Sequence, residues 1–157
     1  RYEGYGPGGS MVIVECLTDN ATRTFNDVRL CFTKNDCKIG TQGSVMHLFD
    51  HLGIFMFQHD DEDAVLEALM EADIDVSEIE SEHGALTVFV PQHEYARAKQ
   101  ALADVFGDIR FEVDEIQFVA QAMTDLDADS GEQFQRFYDM LDFLDDVQRV
   151  FHNVANA

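Results

Sequence analysis

The two ends of this chain each need the other in order to fold. Residues 11–49 read as β-α-β and residues 130–154 as α-β, and neither piece carries enough facing apolar surface to close a two-layer core alone. Met11 to Leu17 is an almost continuous apolar run, as suits a strand buried on both faces. Asp19 or Asn20 can cap a helix over roughly residues 21–35, with Phe25, Val28 and Phe32 at i, i+3, i+7 as its apolar face. Asn35-Asp36 and Gly40 to Gly43 break the pattern, and Ser44 to Phe49 resumes it as a strand. Near the far end Ser130 and Gln133 stand in capping-box spacing. They open a helix with Phe134, Phe137, Tyr138, Leu141 and Leu144 on one face, followed by a strand over Val147 to Val154.

The segment between these ends is self-sufficient. Ile54 to Phe57 reads as a strand, and the acids Asp60 to Asp63 lead a helix that turns Val65, Ala68, Leu69 and Ala72 inward. Val76 to Glu82 alternates, His83-Gly84 makes a hairpin turn, and Ala85 to Val90 is the partner strand. Pro91 starts a second helix with Tyr95, Ala98, Leu102 and Val105 or Phe106 inward; Gly107 ends it, and Ile109 to Val119 closes as a strand. That order is β-α-β-β-α-β, the ferredoxin-like pattern. The expected fold class is therefore α+β: two α/β sandwich domains, with residues 53–123 inserted as a ferredoxin-like unit into a discontinuous domain of residues 1–52 and 124–157.

Charge is distributed as unevenly as structure. The chain carries a net charge of −21. Residues 1–52 hold five basic and six acidic side chains, residues 53–123 three and seventeen, and residues 124–157 two and eight. A field of that sign repels phosphate backbones over most of the surface. Any nucleic-acid contact must use the near-neutral first third or a basic segment outside these residues. No apolar run reaches the roughly 18 residues of a membrane span, and no secretion signal opens the chain. The three cysteines, Cys16, Cys31 and Cys37, include no CxxC pair and fit a reducing compartment. The expectation is a soluble, cytoplasmic protein with no membrane contact.

Motifs for catalysis fail on geometry. Gly4, Gly6, Gly8 and Gly9 precede a strand, whereas a phosphate loop needs its glycines after a strand and opening a helix. A flexible lead-in or tight turn is the better reading. Asp125 to Gly131 imitates a calcium loop, but position six is Ser130 and position twelve Arg136. His47 and His51 have zinc-ligand spacing for a helix, yet the local pattern is a strand ending in a turn. There is no GxSxG or HExxH motif. No catalytic residue, metal site, cofactor or small-molecule substrate is expected.

The basic residues are the remaining candidates. Arg23, Arg29, Lys34 and Lys38 fall within sixteen residues, and on an ideal helix Arg23 and Lys34 lie about 20° apart. They are either a scattered solvated surface or a local contact for RNA phosphate or a ribosomal surface, which needs only a few such groups if another domain supplies the rest.

The run Tyr2-Glu3-Gly4-Tyr5-Gly6-Pro7-Gly8-Gly9, then Val14 to Asn20, Arg23-Thr24, Val28-Arg29, Phe32, Lys34-Asn35 and Gly43-Ser44-Val45 through Leu48-Phe49 resembles the YebC/PmpR family. The ending Asp145-Asp146-Val147-Gln148 with Val150 and His152-Asn153-Val154 resembles its C-terminal signature, nearest the YeeN-like branch. The resemblance implies a three-domain protein whose first, basic helical domain is absent here, consistent with an opening at Arg1 that reads as the middle of a longer chain. It implies a non-enzymatic regulator of gene expression, labelled a DNA-binding transcriptional regulator and associated also with ribosome-bound translation. Arg23, Arg29, Lys34, Asn35 and Lys38 would then touch DNA or ribosomal RNA, with the basic domain carrying most of the binding. The alternative is an acidic protein-interaction module with no direct nucleic-acid contact. One departure stands out: Asp36-Cys37 replaces the family's usual Gly-Gly.

Overall fold

Strand β2 (Met11–Cys16) forms where the apolar run predicts it, and Val12, Ile13 and Val14 are fully buried. It lies inside one of two four-stranded sheets in the computed structural model, which describes all residues from Arg1 to Ala157. The remaining strands of that sheet are β1 (Tyr2–Tyr5), β3 (Lys38–Ile39) and β8 (Val147–His152), in the order β3-β1-β2-β8 with every pairing antiparallel. Helices α1 (Ala21–Lys34) and α4 (Ala128–Phe143) cover one face, where Val12 and Val14 pack with Val28, Phe32, Phe134, Phe137 and Leu141. On the other face Ile13 and Phe151 meet Val45, Phe49 and Phe118.

The second sheet runs β5-β6-β4-β7. Its strands are β4 (Phe49–Gln58), β5 (Glu78–Glu82), β6 (Ala85–Pro91) and β7 (Phe111–Ala120), with helices α2 (Glu62–Glu71) and α3 (Tyr95–Phe106) between them. Counted within this segment, the order is 2-3-1-4, the split βαβ arrangement. Phe55, Phe57, Leu86, Val88 and Val90 bury one sheet face against Val65 and Leu69 of α2 and Ala98, Ala101 and Leu102 of α3. The β5–β6 turn places His83 at φ 51° and Gly84 at φ 79°, the left-handed pair that a two-residue hairpin requires. The chain divides into two compact units, Arg1–Asp50 with Phe118–Ala157, and His51–Gln117. The seam falls there because Phe49 and Phe118, at the ends of β4 and β7, belong to the cluster around Ile13.

Several local expectations change. The glycine-rich opening is no flexible lead-in: Tyr2 to Tyr5 pair with Val14 to Met11, and only Pro7–Gly9 forms a tight turn. Gly4 is required by close approach, since a Cβ there would sit 2.5 Å from the Lys38 carbonyl oxygen and 2.6 Å from the Phe32 ring. Residues 44–48 are a turn and a short 3-10 helix (Met46–Leu48), not a strand. The cause is Glu3, a buried carboxylate that accepts the backbone N–H groups of Val45 at 2.8 Å and Met46 at 3.0 Å. On α1 the inward stripe is Thr24, Val28, Cys31 and Phe32, while Phe25 remains 41% exposed beside Tyr2. The α4 cap is Asp127, which accepts from the Ser130 N–H at 2.8 Å, so the helix begins earlier than the capping-box reading. α3 starts at Tyr95, after a 3-10 turn, and exposes Val105. β8 stops at His152.

Three expectations follow, two from β1 and one from α4. Gly4→Ala lowers unfolding stability by roughly 2 kcal/mol, because neither the Lys38 carbonyl nor the packed Phe32 ring has room to retreat. Gly131→Ala, in α4 with open space around it, raises stability by about 0.5–1 kcal/mol in the same urea titration. Burial by itself would raise the Glu3 pKa, but the N–H groups of Val45, Gly43 and Met46 outweigh it and hold the carboxyl below its ordinary value. A depressed carboxylate stabilises the fold above its unfolded pKa and loses that contribution as pH falls through the folded value. Glu3→Gln therefore costs about 1–2 kcal/mol at neutral pH, and the difference from wild type narrows as unfolding is measured at progressively lower pH.

Candidate nucleic-acid interface

Helix α1 carries three of the five candidate contact residues and positions them differently. Its N-terminus is set by Asn20, whose side-chain oxygen accepts the Arg23 N–H at 3.1 Å. The Arg23 guanidinium then closes a bidentate pair with Asp146, Nε to Oδ2 at 3.2 Å and Nη2 to Oδ1 at 3.0 Å, and reaches Asp19 at 3.1 Å. Thr24, fully buried, donates its hydroxyl to the same Asp146 carboxylate at 2.8 Å. Hydrogen bonds from Arg23 and Thr24 hold the Asp146 carboxyl below the ordinary range, and Asp146 in turn raises the Arg23 pKa. Arg23 is thus a clamp between α1 and the start of β8, its charge matched by two carboxylates.

Asn35 also faces inward. It is buried, its amide donates to the Cys31 carbonyl at 2.8 Å and contacts the Met140 sulfur, and its own carbonyl accepts from the Gln133 side chain at 2.5 Å. Asn35 therefore ties the end of α1 to α4. Beyond it Asp36 takes φ 54°, the left-handed conformation that glycine adopts freely.

Arg29, Lys34 and Lys38 are exposed, and no carboxylate lies within ion-pair distance of any of them. They do not share one face. Five residues along a helix separate Arg29 and Lys34 by about 140°. Lys38 sits on β3 opposite Tyr5, whose hydroxyl reaches the Ser44 carbonyl. Cross-strand partners project from the same side of a sheet, so Lys38 belongs to the face away from α1 and α4. Two arginines on that face escaped the sequence reading: Arg1 lies over the Phe118 ring at 4.9 Å and Arg149 over Phe151 at 4.8 Å. They come together only through the pairing of β2 with β8, which joins Glu15 to Arg149, and nothing in their local sequence signals it.

Other candidate reactive groups are engaged within the fold. Burial raises the pKa of all three thiols, that of Cys37 to about 11, so none is a ready thiolate at neutral pH. The His47 ring bonds the Gly43 carbonyl in its own turn. The Tyr95 hydroxyl donates to Asp114, which also pairs with Lys99 at 2.7 Å. A concavity of about 660 Å3 lies beside the Arg23 clamp. Asp19, Asp27, Asp145 and Asp146 line it, so its charge disfavours phosphate. No helix is long and apolar enough to cross a membrane.

Comparison with known proteins agrees with this architecture. The chain is 64% identical over 154 residues to a "Probable transcriptional regulatory protein" of Alcanivorax borkumensis, a match covering 98% of the chain and 64% of that relative. A protein of the same description from Idiomarina loihiensis is 61% identical over 156 residues, with 99% and 66% covered. The chain thus spans about two thirds of the length of these relatives. A crystal structure of a conserved hypothetical protein from Aquifex aeolicus superposes with a TM-score of 0.74 at 28% identity, covering 98% of this chain and 63% of that one. Residues 1–154 match the family described as TACO1/YebC second and third domain, and the chain belongs to that family.

Proposed function

We propose that this chain is the α+β body of a non-enzymatic regulator of gene expression that acts by docking on the ribosome, with Arg29, Lys34 and Lys38 touching ribosomal RNA. Arg23 and Asn35 serve as positioning residues: one fixes the start of α1 against β8, the other fixes its end against α4. The regulatory description of the relatives supports the general role. The observation that carries the finer reading is the contrast between a net charge of −21 and the dispersal of Arg29, Lys34 and Lys38, none of them ion-paired, over separate faces of one unit. A duplex-DNA reader gains affinity from several adjacent phosphate contacts on one surface, which this chain does not present. Docking on a ribonucleoprotein needs only a few phosphate contacts, provided that protein–protein contacts and a basic segment elsewhere in the full-length protein supply the remainder. Such a protein belongs in the cytoplasm with its target.

The test is ribosome co-sedimentation of the full-length protein across a salt series. Charge reversal of Arg29, Lys34 and Lys38 together should weaken association and flatten the log–log salt dependence by about one per phosphate contact removed, with an unchanged melting temperature. Arg23→Glu should instead lower the melting temperature, because it sets a third carboxylate against Asp146 and Asp19. Full association by the triple reversal variant would sink the assignment of these residues. If the full-length protein binds neither ribosomes, RNA nor DNA at low salt, the acidic interaction module is the correct reading.

A further inference from the structure

Helices α1 and α4 run antiparallel: Gln133 reaches the end of α1, and Asp146, just past α4, reaches its beginning. Their outer surfaces leave an apolar groove of about 370 Å3, with Leu30 and Cys31 on one wall and Met140, Phe143 and Leu144 on the other. Phe143, the last residue of α4, is 86% exposed, and Leu30 is 50% exposed. Leu30 and Phe143 line one groove, so their exposed apolar surface is contiguous and not scattered. The shape, a shallow apolar trough between two parallel ridges, is one that takes the apolar stripe of a third helix.

Charge selects the kind of helix. Asp27 on α1 and Asp139 on α4 form the lips of the groove. Beyond Phe143 the surface continues past Asp19 and Asp145, and the one cation there, Arg23, is already matched by Asp146. At the opposite end Lys34 follows Leu30 by one turn and Arg136 precedes Met140 by one turn, so the groove is negative where Phe143 sits and positive at its other end.

We propose that the α1/α4 groove binds an amphipathic helix of a partner protein. The helix lays its apolar stripe over Leu30, Met140 and Phe143 and sets lysine or arginine against Asp27, Asp139 and Asp145. Phe143 is the anchor, since a large exposed aromatic gains most on desolvation. This surface does not rest on the ribosome reading, and either can fail without the other.

The probe is a fluorescein-labelled helical peptide of about 18 residues, with leucines at i, i+3 and i+7 flanked by lysine and arginine. One control has the same composition with the leucines dispersed, and a second replaces the basic residues by glutamate. Fluorescence anisotropy with the 157-residue chain at near-physiological salt should show the striped basic peptide binding about tenfold tighter than either control. Phe143→Ser should weaken that binding about tenfold, and Leu30→Gln by a smaller factor. Asp27→Asn with Asp139→Asn should weaken it and reduce its salt dependence. Glu78→Gln with Glu80→Gln, on the exposed edge of β5, should leave it unchanged. Leu30→Gln serves as the independent variant should Phe143→Ser alter the melting curve. The proposal is overturned if the dispersed peptide binds as tightly as the striped one, or if Phe143→Ser and Leu30→Gln both bind like wild type. It is equally overturned if equilibrium sedimentation finds a wild-type dimer that Phe143→Ser dissociates, since the groove would then belong to a second copy of this chain.

Discussion

Everything in the larger unit depends on the burial of β2 from both sides. Val12 and Val14 face the helices, Ile13 faces Phe118 and Phe151, and these three central residues of the strand are without solvent exposure. A strand in that position needs a neighbour on each edge, or its N–H and C=O groups are buried unpaired. β1 supplies one edge from the immediately preceding residues, and β8 supplies the other from more than 130 residues later. The clamp of Asp146 on Arg23 and Thr24 sits at the point where β8 enters, next to the bulge at Glu15 and Cys16. The Leu17 N–H, bonded to the Asp146 carbonyl at 2.9 Å, joins the two segments there by backbone as well.

Much of this was legible in the sequence, because it rests on apolar periodicity. The run at Met11, the stripe on α4, the His83-Gly84 hairpin and the β-α-β-β-α-β order all state themselves locally, and the α+β class follows from them. What escaped the reading depends on tertiary partners. Tyr2 to Tyr5 carries a glycine that intrinsic propensity places in a loop, and only the proximity of the Lys38 carbonyl and the Phe32 ring explains its presence in a strand. The apolar residues Val45, Met46 and Leu48 read as a strand, but a single distant carboxylate, Glu3, holds the Val45 and Met46 N–H groups in a turn. The candidate site divides the same way. Exposure of Arg29, Lys34 and Lys38 follows from the helix pattern and the edge position, whereas the engagement of Arg23 and the inward turn of Asn35 depend on Asp146, Gln133 and Met140, all on the far side of the insert.

The same division explains why charge and structure are so differently distributed. The insert can be strongly acidic because its core is closed by apolar residues from its own strands and helices, and its carboxylates lie on outer faces such as β5. The discontinuous unit keeps near-neutral charge in its first third, where cations have structural work: Arg1 with Glu15 and Phe118, and Arg23 with Asp19 and Asp146. Few positive charges remain outside these pairs.

The discontinuity of the first unit has a kinetic meaning. His51 to Gln117 can complete its contacts as soon as those residues emerge during synthesis, because all of its strands and both its helices lie in one uninterrupted stretch. β2 must wait for Val147 to His152, with its hydrophobic residues unprotected on one edge in the meantime. Contacts of such high sequence separation form slowly. An insert that is already folded shortens the loop that has to close, since its two ends are held at adjacent positions of one sheet through β4 and β7. Closing β8 onto β2 therefore costs less loop entropy than their separation in sequence suggests.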